Sequence, residues 1–288
     1  METILITGIT GFLGRNLTKA LCLKYRDKYR IIGTGHSAHK MMLFKVMCKK
    51  WNIDVECHCI DIVYESDKLE RIFRKNKIDY VIHCAALKYM DIAEEEPSSC
   101  ININIIGTEN IINIANKYVI KNMIALSTDK AINPINTYGM SKYFMEKIII
   151  KNDYSVYQCV NFFWSDGSVL DIWHHQIRQG SNLCVTNYNQ ERYFIDIEIV
   201  CDDIINNIHI KQKILLPSTI FKLKVLDLFT SMIDYFNYDK DKYCIIGDRC
   251  NEKNVELINE NQSGIISYTK EQLKDLISKT LRTTEINT

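Results

Sequence analysis

Five short runs recur along the first half of the chain: TILIT (3 to 7), YRIIGTG (29 to 35), VECHCIDI (55 to 62), DYVIHCAA (79 to 86) and IKNMIALST (120 to 128). They are apolar and mostly β-branched, which predicts strands buried on both faces of a parallel sheet. Between them lie stretches whose apolar residues fall at helical spacing, RNLTKALCLKY (15 to 25), SDKLERIFRKN (66 to 76) and TENIINIANKY (108 to 118). Strand and helix in regular alternation predict an α/β fold with a doubly wound parallel sheet. Ligands of such sheets bind beyond the C-terminal ends of the strands.

The segment after the first strand reads GITGFLG, with Gly8, Gly11 and Gly14 between a strand and a helix. There the backbone must turn tightly and approach a pyrophosphate at a helix N-terminus. The expected dinucleotide contacts are therefore Gly8, Thr10, Gly11, Phe12, Leu13 and Gly14. The second strand ends in Gly33, Thr34, Gly35, His36 and Ser37, with Lys40 nearby and no carboxylate. A carboxylate there would hold a ribose 2′-hydroxyl and repel a 2′-phosphate, so its absence favours NADP over NAD, with His36, Ser37 and Lys40 at the phosphate. Asp61, followed by Ile62, is placed to meet the adenine. Ala85 and Ala86 end the fourth strand with small side chains, where a cofactor passes closely.

The fifth strand runs into STDKAINPINTYGMSK (127 to 142). Tyr138 and Lys142 are four apart and share one face if helical. A free Tyr, with a pKa near 10, is a poor base at neutral pH, and an adjacent ammonium favours its phenolate. Such a Tyr takes the proton of a sugar hydroxyl as that carbon is oxidised, and Lys142 would also hold the nicotinamide ribose. Thr128 is placed to bond the reacting hydroxyl. Asp129 and Lys130 add a second acid and base, which a plain oxidation does not need and an elimination does. Oxidising C4 of a hexose acidifies the C5 hydrogen; a base then removes it while an acid protonates the departing C6 hydroxyl. The alternative is a solvated loop ion pair.

Composition narrows the setting. The 288 residues suit one large α/β domain or a cofactor domain with a smaller lobe. A net charge of +1, without a long charged block, points to no nucleic-acid or membrane partner. No apolar run has membrane-spanning length and the N-terminus METILITG lacks signal-peptide features. The eleven cysteines include no CxxC pair, so free thiols in a reducing compartment, the cytoplasm, are expected rather than a metal site.

Three segments resemble the extended short-chain dehydrogenase/reductases that act as UDP-N-acetylglucosamine 4,6-dehydratases, in particular the C5-inverting kind that is also a 5-epimerase. HCAALKYMDIAEEEP (83 to 97) is similar to that family's AALKxVPxxExxP, with Lys88, Glu94 and Pro97 in place. NIIGTENI (104 to 111) is similar to NxxGTxNV and contributes Asn104. ALSTDKAINPINTYGMSK (125 to 142) is similar to LSTDKAxxPIxxYGxSK. The resemblance implies Thr128, Asp129, Lys130, Tyr138 and Lys142 as catalytic residues, with Lys130 the C5 base and Asp129 the acid at O6. It adds Lys88 and Asn104 to the cofactor contacts, with Lys88 reaching the substrate too.

The second half departs from the family. Where RYGNV is usual the chain has QCVNF, with Gln158 for the Arg; Trp164 stands at a usually small position. Asn161, Ser168, Val169, Arg192, Arg249 and Glu252 match and are the implied substrate contacts, the two arginines at the diphosphate or uridine. The implied organisation is a dinucleotide-binding Rossmann domain over 1 to 162, rejoined by 193 to 212, and a smaller substrate lobe of 163 to 192 and 213 to 288. A UDP-sugar and further copies of the chain, as a homo-oligomer, are the implied partners. A nucleotide-sugar 4-epimerase or 4-keto reductase, and a non-catalytic nucleotide-binding scaffold, are the alternatives.

Overall fold

Residues Ile4, Leu5 and Ile6 are fully buried in a computed structural model of the chain, each burial contributing about 1.5–3 kcal/mol. They form the centre of β1 (Glu2–Thr7). The structure describes residues 1–247, 251, 253 and 255–285. From β1 the chain alternates through α1 (Phe12–Lys24), β2 (Tyr29–Gly35), α2 (Ala38–Lys50), β3 (Glu56–Cys59), α3 (Ser66–Lys75) and β4 (Tyr80–His83). Two short helices, α4 (Met90–Glu95) and α5 (Pro97–Ile101), lead through a π-helical stretch, Asn102–Ile106, into α6 (Gly107–Lys117). Then come β5 (Asn122–Thr128), α7 (Thr137–Lys151) and β6 (Ser155–Cys159). The rest comprises β7 (Asn161–Phe162), α8 (Val169–Gln179), β8 (Leu183–Val185), β9 (Glu191–Ile195), α9 (Ile197–Asn207), β10 (Ile214–Leu215), β11 (Ile220–Lys224), α10 (Val225–Phe236), β12 (Tyr243–Ile245), β13 (Ile265–Ile266) and α11 (Lys270–Glu285).

Two compact units result, one of Met1–Cys159 with Glu198–Pro217, the other of Val160–Ile197 with Ser218–Thr288. The first is a seven-stranded sheet in the order β10-β6-β5-β4-β1-β2-β3. Every registered pair in it is parallel. Strand order reverses between β1 and β4, the switch point at which such sheets bind ligands. This is the expected doubly wound fold. A core of Leu5, Ile32, Val81, Met123 and Val156 from the strands, with Leu69, Ile72, Ile111 and Met145 from the helices, holds it together.

Three elements differ from the sequence reading. β3 covers only Glu56–Cys59 of the expected 55 to 62, because its pairing with β2 ends at Cys59. β4 stops at His83 rather than Ala86, because its pairing with β1 and β5 ends there, and Cys84 to Tyr89 form a loop. The region after β2 is a helix, α2, whose hydrogen-bonded cap is Ser37. Its buried residues, Met41, Phe44 and Cys48, make a narrow apolar stripe.

The second unit has a four-stranded sheet, β13-β11-β9-β7, and a parallel pair, β8 with β12. Its core is aromatic, with Phe163, Trp164, Trp173, Phe194, Phe221 and Phe229. Trp164 has φ 59°, left-handed backbone that is costly for a bulky residue, and is fixed by edge contacts with Phe163 and His174. No helix among the described residues is long and apolar enough to cross a membrane.

Candidate active site

The first loop follows β1. Gly8 has φ 67°, and a Cβ there would lie 2.7 Å from the Ala85 amide nitrogen, so only glycine lets this turn lie against the loop that follows β4. Gly11 is the N-cap of α1; no side chain caps that helix and its first turn carries no acid. Exposed helix-start N–H groups without a competing carboxylate suit an anion. The residues from Gly8 to Gly14 thus fit the pyrophosphate of a dinucleotide.

Farther along the sheet ends, the Ser37 hydroxyl accepts from the Lys40 amide at 3.3 Å. That bond brings the expected 2′-phosphate residues onto one helix start, beside His36. Asp61 Oδ1 accepts from the amides of Val63 and Tyr64 at 2.8 and 3.3 Å, so that oxygen shapes the turn after β3. Ile62 is buried.

The third group stands where β5 ends. Thr128 leaves the strand in extended conformation and a single helical turn, Asp129–Ala131, follows. The Thr128 hydroxyl donates to Asp129 Oδ1 at 2.8 Å, and Lys130 Nζ reaches the same oxygen at 3.2 Å. The side chains of Asp129 and Lys130 are only 3% and 16% exposed. They form a buried cluster, not a solvated loop pair.

Helix α7 brings Tyr138 and Lys142 to this cluster. Asn136 caps it through the Gly139 amide at 2.7 Å, and Glu94 of α4 accepts from the Thr137 amide at 2.6 Å. Lys142 is buried, with Nζ donating to the Leu126 carbonyl at 2.7 Å. Burial pulls its pKa down to about 8, while Glu146 acts to raise it. Burial pushes the Tyr138 phenol up to about 12; Lys130 pulls it down, Asp129 pushes it up and the Thr128 hydroxyl pulls it down. Lys130 is thus a cation acting on Tyr138, and Lys142, one helical turn on, donates to a strand carbonyl.

Asn104, expected at the cofactor, is fully buried and its amide is spent on the protein. Its Oδ1 accepts from the Leu87 amide at 2.8 Å, and its Nδ2 donates to the Leu87 carbonyl at 3.1 Å and to Ser141 Oγ at 2.9 Å. It braces the loop after β4 against α7. Lys88, on that loop, is exposed, with its ammonium 5.2 Å from the centre of the Tyr89 ring. Ala85 and Ala86 are half-buried beside it.

His83 was not singled out by the sequence, although a histidine ending an apolar strand is itself a signal. Its Nε2 meets Thr108 Oγ1 at 3.0 Å and its Nδ1 meets Thr7 Oγ1 at 2.6 Å. Thr108 already donates to the Asn104 carbonyl, so it accepts from the imidazole and the Nε2–H tautomer follows. Burial, with Lys142 adding repulsion, holds the pKa of His83 down at about 3. It is a neutral brace tying β1 and β4 to α6.

In the second unit, Arg192 and Glu256 are 7% and 6% exposed, and Arg192 Nε lies 3.5 Å from Glu256 Oε1. Asn161 donates to Glu256 Oε2 and to the Tyr193 carbonyl, both at 2.9 Å. So Arg192 and Asn161 converge on a buried carboxylate that sequence reasoning missed. Ser168 caps α8 through the Asp171 amide, and Val169 begins that helix. Arg249 and Glu252 lie outside the described residues.

Comparison with known proteins follows the same lines. The family model described as "Polysaccharide biosynthesis protein" matches residues 4–276. A UDP-N-acetylglucosamine 4,6-dehydratase (inverting) of Campylobacter jejuni is 30% identical over 279 residues, covering 93% of this chain and 80% of that one. Among solved structures, dTDP-glucose 4,6-dehydratase of Bacillus anthracis in complex with NAD superposes with a TM-score of 0.81 at 16% identity, covering 99% of this chain and 98% of that one. UDP-glucose 4-epimerase of Thermotoga maritima with UDP-glucose gives 0.79 at 20%, covering 97% and 99%. The likeness to these structures is one of fold.

Proposed function

The chain belongs to the polysaccharide biosynthesis protein family, and from that premise we propose that it is a nucleotide-sugar 4,6-dehydratase. Its substrate is UDP-N-acetylglucosamine and its product the 4-keto-6-deoxy sugar inverted at C5. The observation that carries this reading is the buried cluster of Thr128, Asp129 and Lys130 set against Tyr138. A nicotinamide dinucleotide, when bound, supplies the two-electron acceptor and donor. Tyr138 takes the proton of the C4 hydroxyl, with Thr128 orienting that hydroxyl. The elimination then calls for an amine at Lys130 and a carboxylic acid at Asp129. One proton moving along the 3.2 Å Lys130–Asp129 contact converts the ion pair into those two forms. Lys130 then removes the C5 proton and Asp129 protonates the departing C6 hydroxyl.

NADP is the cofactor we propose, because no carboxylate follows β2 and Ser37, His36 and Lys40 stand there instead; the fold also serves an enzyme described with NAD. The protein works in the cytoplasm on a UDP-sugar, as a homo-oligomer. Exposed Met140, Tyr143 and Phe144 on α7 support self-association. A 4-epimerase would use Tyr138 and Lys142 and leave the buried Asp129–Lys130 pair idle, and a scaffold would need neither pair.

The test is incubation with UDP-N-acetylglucosamine in heavy water without added reductant, followed by mass spectrometry and proton NMR. The expected product is lighter by one water and carries deuterium at an inverted C5. Unchanged mass with an altered C4 would replace the dehydratase by an epimerase.

A further inference from the structure

Helix α7 carries a buried acid that the proposed chemistry does not use. Glu146 lies four residues beyond Lys142, on the same helical face, and is 6% exposed. Its Oε1 accepts from the Gln158 side-chain amide, on β6, at 3.0 Å. Gln158 occupies the place of the arginine in the RYGNV segment, of which this chain keeps Asn161. An arginine there would bring a full positive charge to the buried carboxylate. Burial pushes the Glu146 carboxyl up; glutamine answers with a hydrogen bond and no charge, so the cations that act to lower it are Lys142 and Lys147.

We propose that Glu146 is a positioning residue that keeps Lys142 in its ammonium form, and that Gln158 leaves it free to do so; this rests on reading Tyr138 and Lys142 as the oxidation pair. The surroundings of Lys142 single Glu146 out. His83 and Cys84 face it from the end of β4, Cys100 from α5, and Tyr138 from the preceding turn of α7. Burial holds His83 neutral, with a pKa of about 3, and pushes the Cys84 thiol up to about 12. Cys100 is pushed up as well. At neutral pH these groups carry no charge. The carboxylate of Glu146 is then the counter-charge within α7's buried face. Lys142, drawn down to about 8 by burial, sits where a modest change in field decides its charge.

The experiment follows the Lys142 side chain directly, by titrating protein labelled with 13C at lysine Cε, with the signal assigned by its loss in Lys142→Met. Glu146→Gln keeps the shape and removes the charge. It should lower the Lys142 midpoint by about one pH unit, roughly tenfold in the protonation constant. Gln158→Arg should lower it in the same direction, by neutralising Glu146, and Glu146→Asp should keep it near that of the unaltered protein. The alkaline fall of turnover should move with the midpoint. A Glu146→Gln protein that melts cooperatively but shows an unmoved midpoint would overturn the proposal. The NMR midpoint needs no substrate, so a failure of the dehydratase reading would show in the product assay and leave this titration intact.

Discussion

Gly139 and Lys130 are in backbone contact: a Cβ at Gly139 would lie 2.4 Å from the Lys130 carbonyl oxygen. The turn bearing the acid–base pair and the helix bearing Tyr138 are thus set one against the other at a glycine. Gly139→Ala should force them apart, since a backbone oxygen cannot swing aside as a side chain can. Turnover should fall at least tenfold while the dinucleotide, proposed to sit at Gly8 to Gly14, is retained. Steady-state kinetics beside a bound-nucleotide assay will check both halves.

Replacing Asp129 by Asn keeps the size of the side chain and removes the acid proposed to protonate the C6 hydroxyl. General acid catalysis contributes about 10²–10⁴-fold, so turnover should drop by that order with cofactor content unchanged. Single-turnover absorbance should still record oxidation at C4. Near-normal turnover would remove Asp129 from the mechanism.

Lys130→Met takes away the cation that pulls the Tyr138 phenol down from its raised value. With that charge gone the phenol should ionise at still higher pH. Less phenolate is then present at any neutral pH, about tenfold less for each pH unit of displacement. The ionisation can be read by ultraviolet difference titration against Tyr138→Phe. The same variant should also halt elimination, so C4 oxidation and water loss should both suffer.

His83 makes stability depend on acid. A free imidazole titrates near 6.5 and that of His83 near 3, so between these values the unfolded chain binds a proton that the folded chain refuses. The stabilisation is complete above about pH 6.5 and declines as the pH falls, by up to about 1.4 kcal/mol per pH unit. Going from pH 6.5 to 5 should therefore cost about 2 kcal/mol. His83→Gln, which can still donate to Thr108 and accept from Thr7, should flatten that decline in urea unfolding series.

The parts of the site that lie on the ends of strands were open to sequence reading. Gly8, Gly11 and Gly14 stand out because a strand stops before them and a helix starts after them, and Tyr138 and Lys142 because a fifth strand ends ten residues earlier. Buried polar braces were harder to read. Asn104 looks like a ligand contact in sequence, yet hydrogen bonds to Leu87, Ser141 and Cys100 occupy it. Glu256 lies far along the chain from Asn161 and Arg192, and no local pattern predicts that they meet. α2 escaped notice because its apolar residues do not keep to one face: Met42, Leu43 and Val46 are exposed beside the buried Met41, Phe44 and Cys48. β4 reads as longer than it is because small apolar residues suit both a strand and the loop that lies against Gly8.

Asn104 treats Leu87 as a neighbouring strand would, accepting from its amide and donating to its carbonyl. Leu87 belongs to a loop by its path and to the core by its bonding. Its amide hydrogen should exchange with solvent on the slow schedule of the sheet. One side-chain amide thereby lends a stretch of loop the stillness of a strand.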